Sequence, residues 1–367
     1  MLKTVIHAAQ VRVTASPPPT HQEKFHIGDN YDQWVTTYPL SPFPRRKLWI
    51  ITLCLFFFTS IVLWTYYKLS STGYPVLCTV CAQLNAGGWT KCGSDGSPSD
   101  APRSHRSAII IPYRDRFNEL QQFIPHLKRF LDAQHVAHTF YVVNQVDNFR
   151  FNRAALLNVG ALESSRLESQ GVAVDYVTQI EDSIPSESKR LCPPPTDYLV
   201  FHDVDLLPMD KALQYSWPSA TGPYHLIPKW LHPRYKRLKT YFGGAVILRR
   251  EIFNRLNGFS NSFWGWGLED DEFRLRVLRS GLKISNPVGV VLGMNAFRII
   301  HDEKKHFRDT ATYYHPEIRN ILSSGNGGLN TANYTLESKH LLIIDGVPAL
   351  LLNVKLKCNM NAEICGA

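Results

Sequence analysis

Charge is scarce in this chain of 367 residues: Asp, Glu, Lys and Arg supply 19% of it, against 44% hydrophobic and 12% aromatic residues. That balance excludes a disordered, collagen-like or purely coiled-coil protein. The length suffices for one large domain or two ordinary ones. Seven cysteines are too few to act as a disulfide scaffold over such a length. Several familiar fingerprints are missing: no phosphate-binding P-loop, no G-x-G-x-x-G, no H-E-x-x-H and no internal repeat. Acidic residues run short, with 31 against 40 Lys and Arg, a formal net charge of +9. The excess suits anionic partners such as nucleotides, lipid or sulfated polysaccharide. It is dispersed, which argues against nucleic acid.

One stretch has no charge at all. From Leu48 to Tyr67 the chain reads LWIITLCLFFFTSIVLWTYY. At ~1.5 Å per residue a helix of this length spans the ~30 Å hydrocarbon core of a bilayer. Trp49, Trp64, Tyr66 and Tyr67 stand near its ends, where amphipathic rings favour the interface. It begins too late and runs too long for a cleaved signal peptide, and no small-residue cleavage site follows closely. Arg45, Arg46 and Lys47 precede it and only Lys68 follows closely, so the positive-inside rule keeps the N-terminus cytosolic. The expected organisation is a cytosolic tail (1–47), one transmembrane anchor (48–67), a lumenal stem rich in Ser, Gly, Pro and Cys (68–105), and a lumenal domain (106–367). In an oxidising lumen Cys358 and Cys365, close in sequence, are expected to pair, and Cys78 and Cys81 to form a stem disulfide. Asn333-Tyr334-Thr335 is a glycosylation sequon usable in that compartment.

From Arg106 apolar runs alternate with helical periodicity. SAIIIPY, TFYVVNQV and DYLVFHDVDLL predict buried strands, the first stopping at Pro112. Leu120, Phe123, Ile124, Leu127 and Leu131 mark one helix face, and residues 150–162 read as a loop entering another helix. Residues 163–197 read as an irregular surface insertion. The alternation implies an α/β layer architecture, in which ligands bind beyond the carboxyl ends of the strands. Arg114, Arg116, Asp203 and Asp205 fall at such ends.

These residues suggest a chemistry. Residues two apart on a strand point the same way, so Asp203 and Asp205 read as a hard-oxygen site for Mg²⁺ or Mn²⁺ that could hold a nucleotide diphosphate. FWGWGLEDDEF (263–273) interleaves Trp264 and Trp266 with glycines, as a lid would, before a helix whose first turn carries Glu269, Asp270 and Asp271 as candidate general bases. Arg114, Arg116 and Arg153 could contact uracil, ribose or phosphate, and Tyr113 or Phe151 could stack on a base. In HDEKKH, read as a helix, the rings of His301 and His306 would not share a face, leaving His301 alone as a metal-ligand candidate.

Together IPYRDR (111–116), NQVDNFRFNRAALLNVGALESS (144–165), FHDVDLLP (201–208), LHPRY (231–235), KTYFGG (239–244), FWGWGLEDDEF (263–273) and GGLNT (327–331) resemble the β-1,4-galactosyltransferases. Within them the likeness is greatest to the branch that galactosylates xylose in the proteoglycan linkage region. The resemblance spans about residues 106–366 and implies a GT-A type fold, UDP-galactose as donor, Mn²⁺ as cofactor, inversion at the sugar, and a Golgi location. It assigns Pro112, Tyr113, Arg114, Arg116, Phe151 and Arg153 to the UDP site, and Asp203 and Val204 to nucleotide contacts. Asp205 and His301 would hold manganese, and Tyr241, Gly243 and Gly244 would face the donor sugar. Trp266 would close over donor and acceptor, Asp270 would take the acceptor's proton, and Tyr235, Glu269 and Asp271 belong to the acceptor side. The xylose-specific pattern carries His-x-His where this chain reads FRIIHD, so Ile299 stands in place of one histidine. An aromatic residue of the acceptor site is replaced around Arg237–Leu238, and the insertion at 166–196 is longer than the family pattern. The expected alternatives are transfer to N-acetylglucosamine and a non-catalytic lectin.

Overall fold

The computed structural model describes residues 59–61, 90–91, 105–173, 190–219, 221–232, 234–238, 240–290 and 296–366. The stretch Leu48–Tyr67 read as an anchor lies outside these apart from residues 59–61, which are helical and exposed. Among the described residues no helix is long and apolar enough to cross a membrane. The elements below belong to the unit Tyr74–Ala367.

Its centre is a mixed sheet of seven strands. In spatial order they are β11 (Tyr334–Ile344), β12 (Val347–Leu356), β3 (Ala137–Gln145), β2 (Arg106–Tyr113), β6 (Tyr198–His202), β9 (Ala245–Arg249) and β8 (Tyr224–His225). From β12 to β6 the pairings are parallel; β11, β9 and β8 join antiparallel. Side chains alternate across the sheet, and the core divides accordingly. Ile109 and Ile111 pack with Leu120, Phe123, Ile124, Leu127 and Leu131 of α1 (Phe117–Asp132). Ala108 and Ile110 pack with the buried side of α2 (Arg153–Gln170). A methyl group on Gly160 of α2 would stand 2.4 Å from the Ile110 side chain, so glycine lets helix and sheet approach closely.

Three local readings change. β2 runs past Pro112 to Tyr113; β6 has already left at Ile110, so only β3 still pairs there. The run DYLVFHDVDLL is not one strand: β6 ends at His202, the chain turns, and β7 (Leu206–Pro208) resumes against β10 (Phe297–Ile299). Asp203 and Asp205 therefore do not project side by side from a strand. Third, α2 continues to Gln170 with Glu163, Ser164 and Leu167 buried, so residues 163–170 are not irregular. Beyond it β4 (Val172–Ala173) pairs with β5 (Arg190–Cys192), which pairs in turn with β1 (Thr90–Lys91) from the segment read as stem. Cys192 is disulfide-bonded, and Cys358 is joined to Cys365, the last residue of the short helix Ala362–Cys365. Cys78 and Cys81 lie outside the described residues. Asn333, exposed, immediately precedes β11.

Candidate active site

A cavity of about 600 Å³ opens where the parallel strands end. The end of β2 brings Pro112 to it, and the segment that follows brings Arg114 and Arg116. The loop after β3 brings Phe151 and Arg153, and the β6–β7 turn brings Asp203, Val204 and Asp205. Tyr241, Gly243 and Gly244 precede β9. The glycine-rich loop and the start of α4 (Glu269–Arg279) contribute Trp266, Glu269, Asp270 and Asp271, and the chain after β10 contributes His301. Tyr235 lines it as well. Tyr113 does not: strand alternation turns it to the α1 side of the sheet, where it packs against that core.

The basic residues are held by side chains and, for Arg114, by a main-chain carbonyl. Asn152 caps α2 by accepting from the Ala155 N–H at 2.9 Å, which places Arg153 at the helix start. Arg153 Nε donates to Asp203 Oδ1 at 2.7 Å, and another guanidinium nitrogen lies 3.5 Å from Glu269. Burial works against its charge, but Asp203 and Glu269 outweigh burial and raise its pKa. Burial also drives Asp203 upward, against the pull of Arg153. Arg114 donates to the Phe149 carbonyl at 2.8 Å and lies over the Phe151 ring. Its Nε and other terminal nitrogen are buried without a hydrogen-bond partner, two unused donors on a residue that lines the cavity.

Asp205 sits apart from Asp203. Its Oδ2 lies 3.2 Å from His301 Nδ1 and 3.4 Å from Arg116. Burial pushes this carboxyl up, yet His301 and Arg116 prevail and hold it below the ordinary range. A carboxylate oxygen and an imidazole nitrogen at this separation match two neighbouring ligands of one ion, which lie about 3 Å apart when bonds are about 2.1 Å. His301 Nε2 is buried without a partner. The residues thus fit a divalent cation such as Mn²⁺. Ile299 lines the cavity beside them with nothing to donate, and among the described residues no group of three or more His, Cys, Asp and Glu forms a metal cage. The segment from His301 to His306 is turn rather than helix, so its two rings come within 6.4 Å after all. His306 also lines the cavity, near Glu119, while Asp302 pairs with Lys305.

The acids of α4 meet the opposite electrostatics. Asp270 is pushed up to about 8 by burial and by its neighbours Glu269 and Asp271. Glu269 is 8% exposed and leaves Oε2 without a partner. Asp271 accepts from the Thr240 hydroxyl at 3.1 Å. A β-carbon on Gly243 would lie 2.7 Å from Asp270 Oδ2, so only glycine leaves that carboxylate its place. Ahead of the helix Gly265 has φ 97° and Gly267 φ 101°, angles closed to most side chains. This loop separates the tryptophans: Trp264 is buried in the core against Phe149, whereas Trp266 is 39% exposed at the cavity mouth. The Trp266 N–H donates to the Asp309 carbonyl at 2.7 Å, and its ring lies against Tyr313 and under Arg308.

Motif reading missed part of the lining. His232 stacks on Tyr235 with centroids 4.3 Å apart, and burial lowers its pKa to about 4. Arg308 lies over both Tyr235 and Trp266. The strings LHPRY and HFRD contain these residues, but nothing local reveals that they meet.

The mixed sheet, with helices on both faces and a cavity where its parallel strands end, gives the chain the GT-A-like α/β fold of a solved glycosyltransferase with which it aligns. Residues 80–190 match the N-terminal region of glycosyl transferase group 7, and residues 224–301 match the N-terminal domain of galactosyltransferase. The chain is 42% identical over 258 residues to mouse (Mus musculus) beta-1,4-galactosyltransferase 7, covering 70% of each. It is 35% identical over 260 residues to the Caenorhabditis elegans xylosylprotein 4-beta-galactosyltransferase, covering 70% of this chain and 80% of that protein. A crystal structure of a mutant Drosophila β-1,4-galactosyltransferase 7 with manganese, UDP-Gal and xylobiose aligns with TM-score 0.58 and 38% identity, over 71% of this chain and 97% of the other. The chain belongs to the β-1,4-galactosyltransferase family.

Proposed function

We infer that this protein transfers galactose from UDP-galactose, with inversion, in β-1,4 linkage to the xylose of the proteoglycan linkage region. The carrying observation is one cavity that joins an aspartate with raised proton affinity, Asp270, to the cation-binding edge Asp205–His301 and the arginines that follow β2 and β3. Relatives named for this activity, and a relative crystallised with UDP-Gal, manganese and xylobiose, support the reading.

In this reading Arg114, Arg116 and Arg153, with Pro112, Phe151, Asp203 and Val204, bind the nucleotide. Asp205 and His301 hold Mn²⁺. Tyr241, Gly243 and Gly244 face the galactose. The acceptor sugar lies between Tyr235, Trp266, Glu269 and Asp271. Asp270 accepts the proton of the acceptor hydroxyl as its oxygen bonds to the galactose anomeric carbon, and the bond from that carbon to the UDP oxygen breaks on the opposite face. An ion held by Asp205 and His301 would supply positive charge against the departing diphosphate. Inversion needs only this one base, on the face opposite the leaving group.

The same reading makes Leu48–Tyr67 a signal anchor of type II topology in the Golgi membrane, with residues 68–105 as stem and 106–367 as the lumenal catalytic domain. Its support is the charge asymmetry around the apolar run and the exposed sequon at Asn333. Endoglycosidase sensitivity at Asn333, lost in Asn333→Gln, tests that orientation. The activity is tested by incubating the full-length protein with UDP-galactose, Mn²⁺ and either a β-xyloside or N-acetylglucosamine. The expected product is galactosyl-β-1,4-xyloside. Product from N-acetylglucosamine alone would overturn the acceptor, and sugar binding without product would make the protein a lectin.

A further inference from the structure

Arg116 is tied to the proposed metal position more closely than to any other part of the cavity. One of its terminal nitrogens lies 2.6 Å from His301 Nδ1 and 3.4 Å from Asp205 Oδ2, and those two acceptors are 3.2 Å from each other. A guanidinium can only donate, so in this contact Nδ1 offers Arg116 its lone pair, the position from which the ring can otherwise give a proton to Asp205. The lone pair of Nδ1 and the Asp205 carboxylate then face each other, an arrangement held together by the positive charge that both contact. An imidazole nitrogen has a single in-plane lone pair. A metal ion and Arg116 cannot occupy it together.

We propose that Arg116 is a tethered cation that competes with the divalent metal for Asp205 and His301, and that it must leave them before the ion is held by both. Arg116 is well placed to do so. It lies just beyond the carboxyl end of β2, directly after Asp115, whose φ is 51°, and immediately before α1. Its side chain is only partly buried and lines the same cavity as Arg114 and Arg153. A diphosphate arriving between these arginines offers Arg116 another anion, and its departure from His301 frees the nitrogen for the metal. Metal and donor binding are thereby linked, each favouring the other. Ile299 sharpens the competition, because it offers the ion nothing and, among the described residues, no third His, Cys, Asp or Glu completes a metal cluster with Asp205 and His301.

The inference rests on the assignment of Asp205 and His301 to the metal, and the test separates the two. Mn²⁺ is titrated into the full-length protein in detergent, without nucleotide, and the free-ion signal is followed by electron paramagnetic resonance. Arg116→Met, which keeps the length but neither the charge nor the donors, is expected to bind Mn²⁺ at least about fivefold more tightly than wild type. That factor corresponds to the roughly 1 kcal/mol net worth of one hydrogen bond. Should Arg116→Met not fold, Arg116→Gln carries the same expectation, since its uncharged amide is too short to span both partners. Asp205→Asn in the Arg116→Met background is expected to reverse the gain. Equal or weaker Mn²⁺ binding by the folded Arg116 variant, with Asp205→Asn still weakening binding in wild type, overturns the competition alone. Mn²⁺ binding indifferent to Asp205→Asn overturns the metal assignment itself.

Discussion

Asp205 and Asp270 line the same cavity and share a residue type, yet their surroundings drive them in opposite directions. Asp205 lies among cationic and imidazole groups, Arg116 and His301, which hold its carboxyl low despite burial. Asp270 is buried beside Glu269 and Asp271, and its carboxyl rises to about 8. One is thereby an anion at any physiological pH, suited to hold a cation. The other gives up its proton reluctantly and takes one readily, which suits a base acting on a hydroxyl. The difference teaches that the chemistry of a carboxylate here is assigned by its neighbours, which adjoin Asp270 in sequence but reach Asp205 from distant parts of the chain.

The largest expected effect breaks the Asp270 side of this comparison. Asp270→Asn should lower kcat by about 10³-fold, in the range by which a positioned base accelerates proton transfer. UDP binding, followed by calorimetry, should stay near wild type because Asp270 acts mainly in the transition state. A variant with normal turnover would remove Asp270 from the base role. Next comes Gly243→Ala. Its new methyl would meet Asp270 Oδ2 at 2.7 Å and displace the base without touching its charge. A displacement of order 1 Å costs about 10²-fold in rate, so kcat should fall by that order while UDP affinity holds.

The third prediction concerns pH. Asp270 must be ionised to accept a proton, and its pKa lies near 8 rather than in the usual carboxylate range. In the free enzyme kcat/KM should therefore fall about tenfold per pH unit below that value. A profile flat down to pH 6 would refute the elevated pKa. The sign for stability is the reverse: the folded state binds this proton more tightly than the unfolded chain does, so stability is lost as pH rises through about 8. Asp270→Asn should abolish that loss, as thermal melts at pH 7 and pH 9 would register.

The smallest expected effect sharpens the Asp205 side. Ile299 lines the cavity and is paired through β10 with Leu206, the residue after Asp205. Ile299→His would add a third protein ligand and should lower the half-saturating Mn²⁺ concentration by up to about tenfold, or ~1.4 kcal/mol, with no change of product. If His306 already serves the ion, Ile299→His will leave the Mn²⁺ curve in place and His306→Ala will shift it. Should His301→Ala leave the curve unchanged, the ion is not held here.

Local patterns carried much of the architecture. The spacing of Leu120, Phe123, Ile124, Leu127 and Leu131 marks a helix face that is buried as read. The apolar runs at 106–113, 137–145 and 198–202 are parallel strands of one sheet, and the charged residues after them reach one cavity. These features are legible because strand and helix periods are properties of consecutive residues, and because parallel strands must end on the same edge. The tryptophans show the limit. Both flank a glycine in the same string, but Trp264 fills the core and Trp266 guards the cavity, a division made by the positive φ of Gly265.

By itself the sequence determined the α/β alternation, the helix that opens on Glu269, Asp270 and Asp271, and the uncharged run ahead of them. Tertiary structure alone decided that Arg116 meets His301 across a separation of 185 residues, that His232 and Arg308 join Tyr235, and that β1 pairs with β5. It also decided that Asp203 and Asp205, two residues apart, serve different partners, Arg153 and His301. The physical reason is range. Periodicity acts between residues a few positions apart, whereas electrostatic interaction and burial depend on distance in space, which only the folded chain defines.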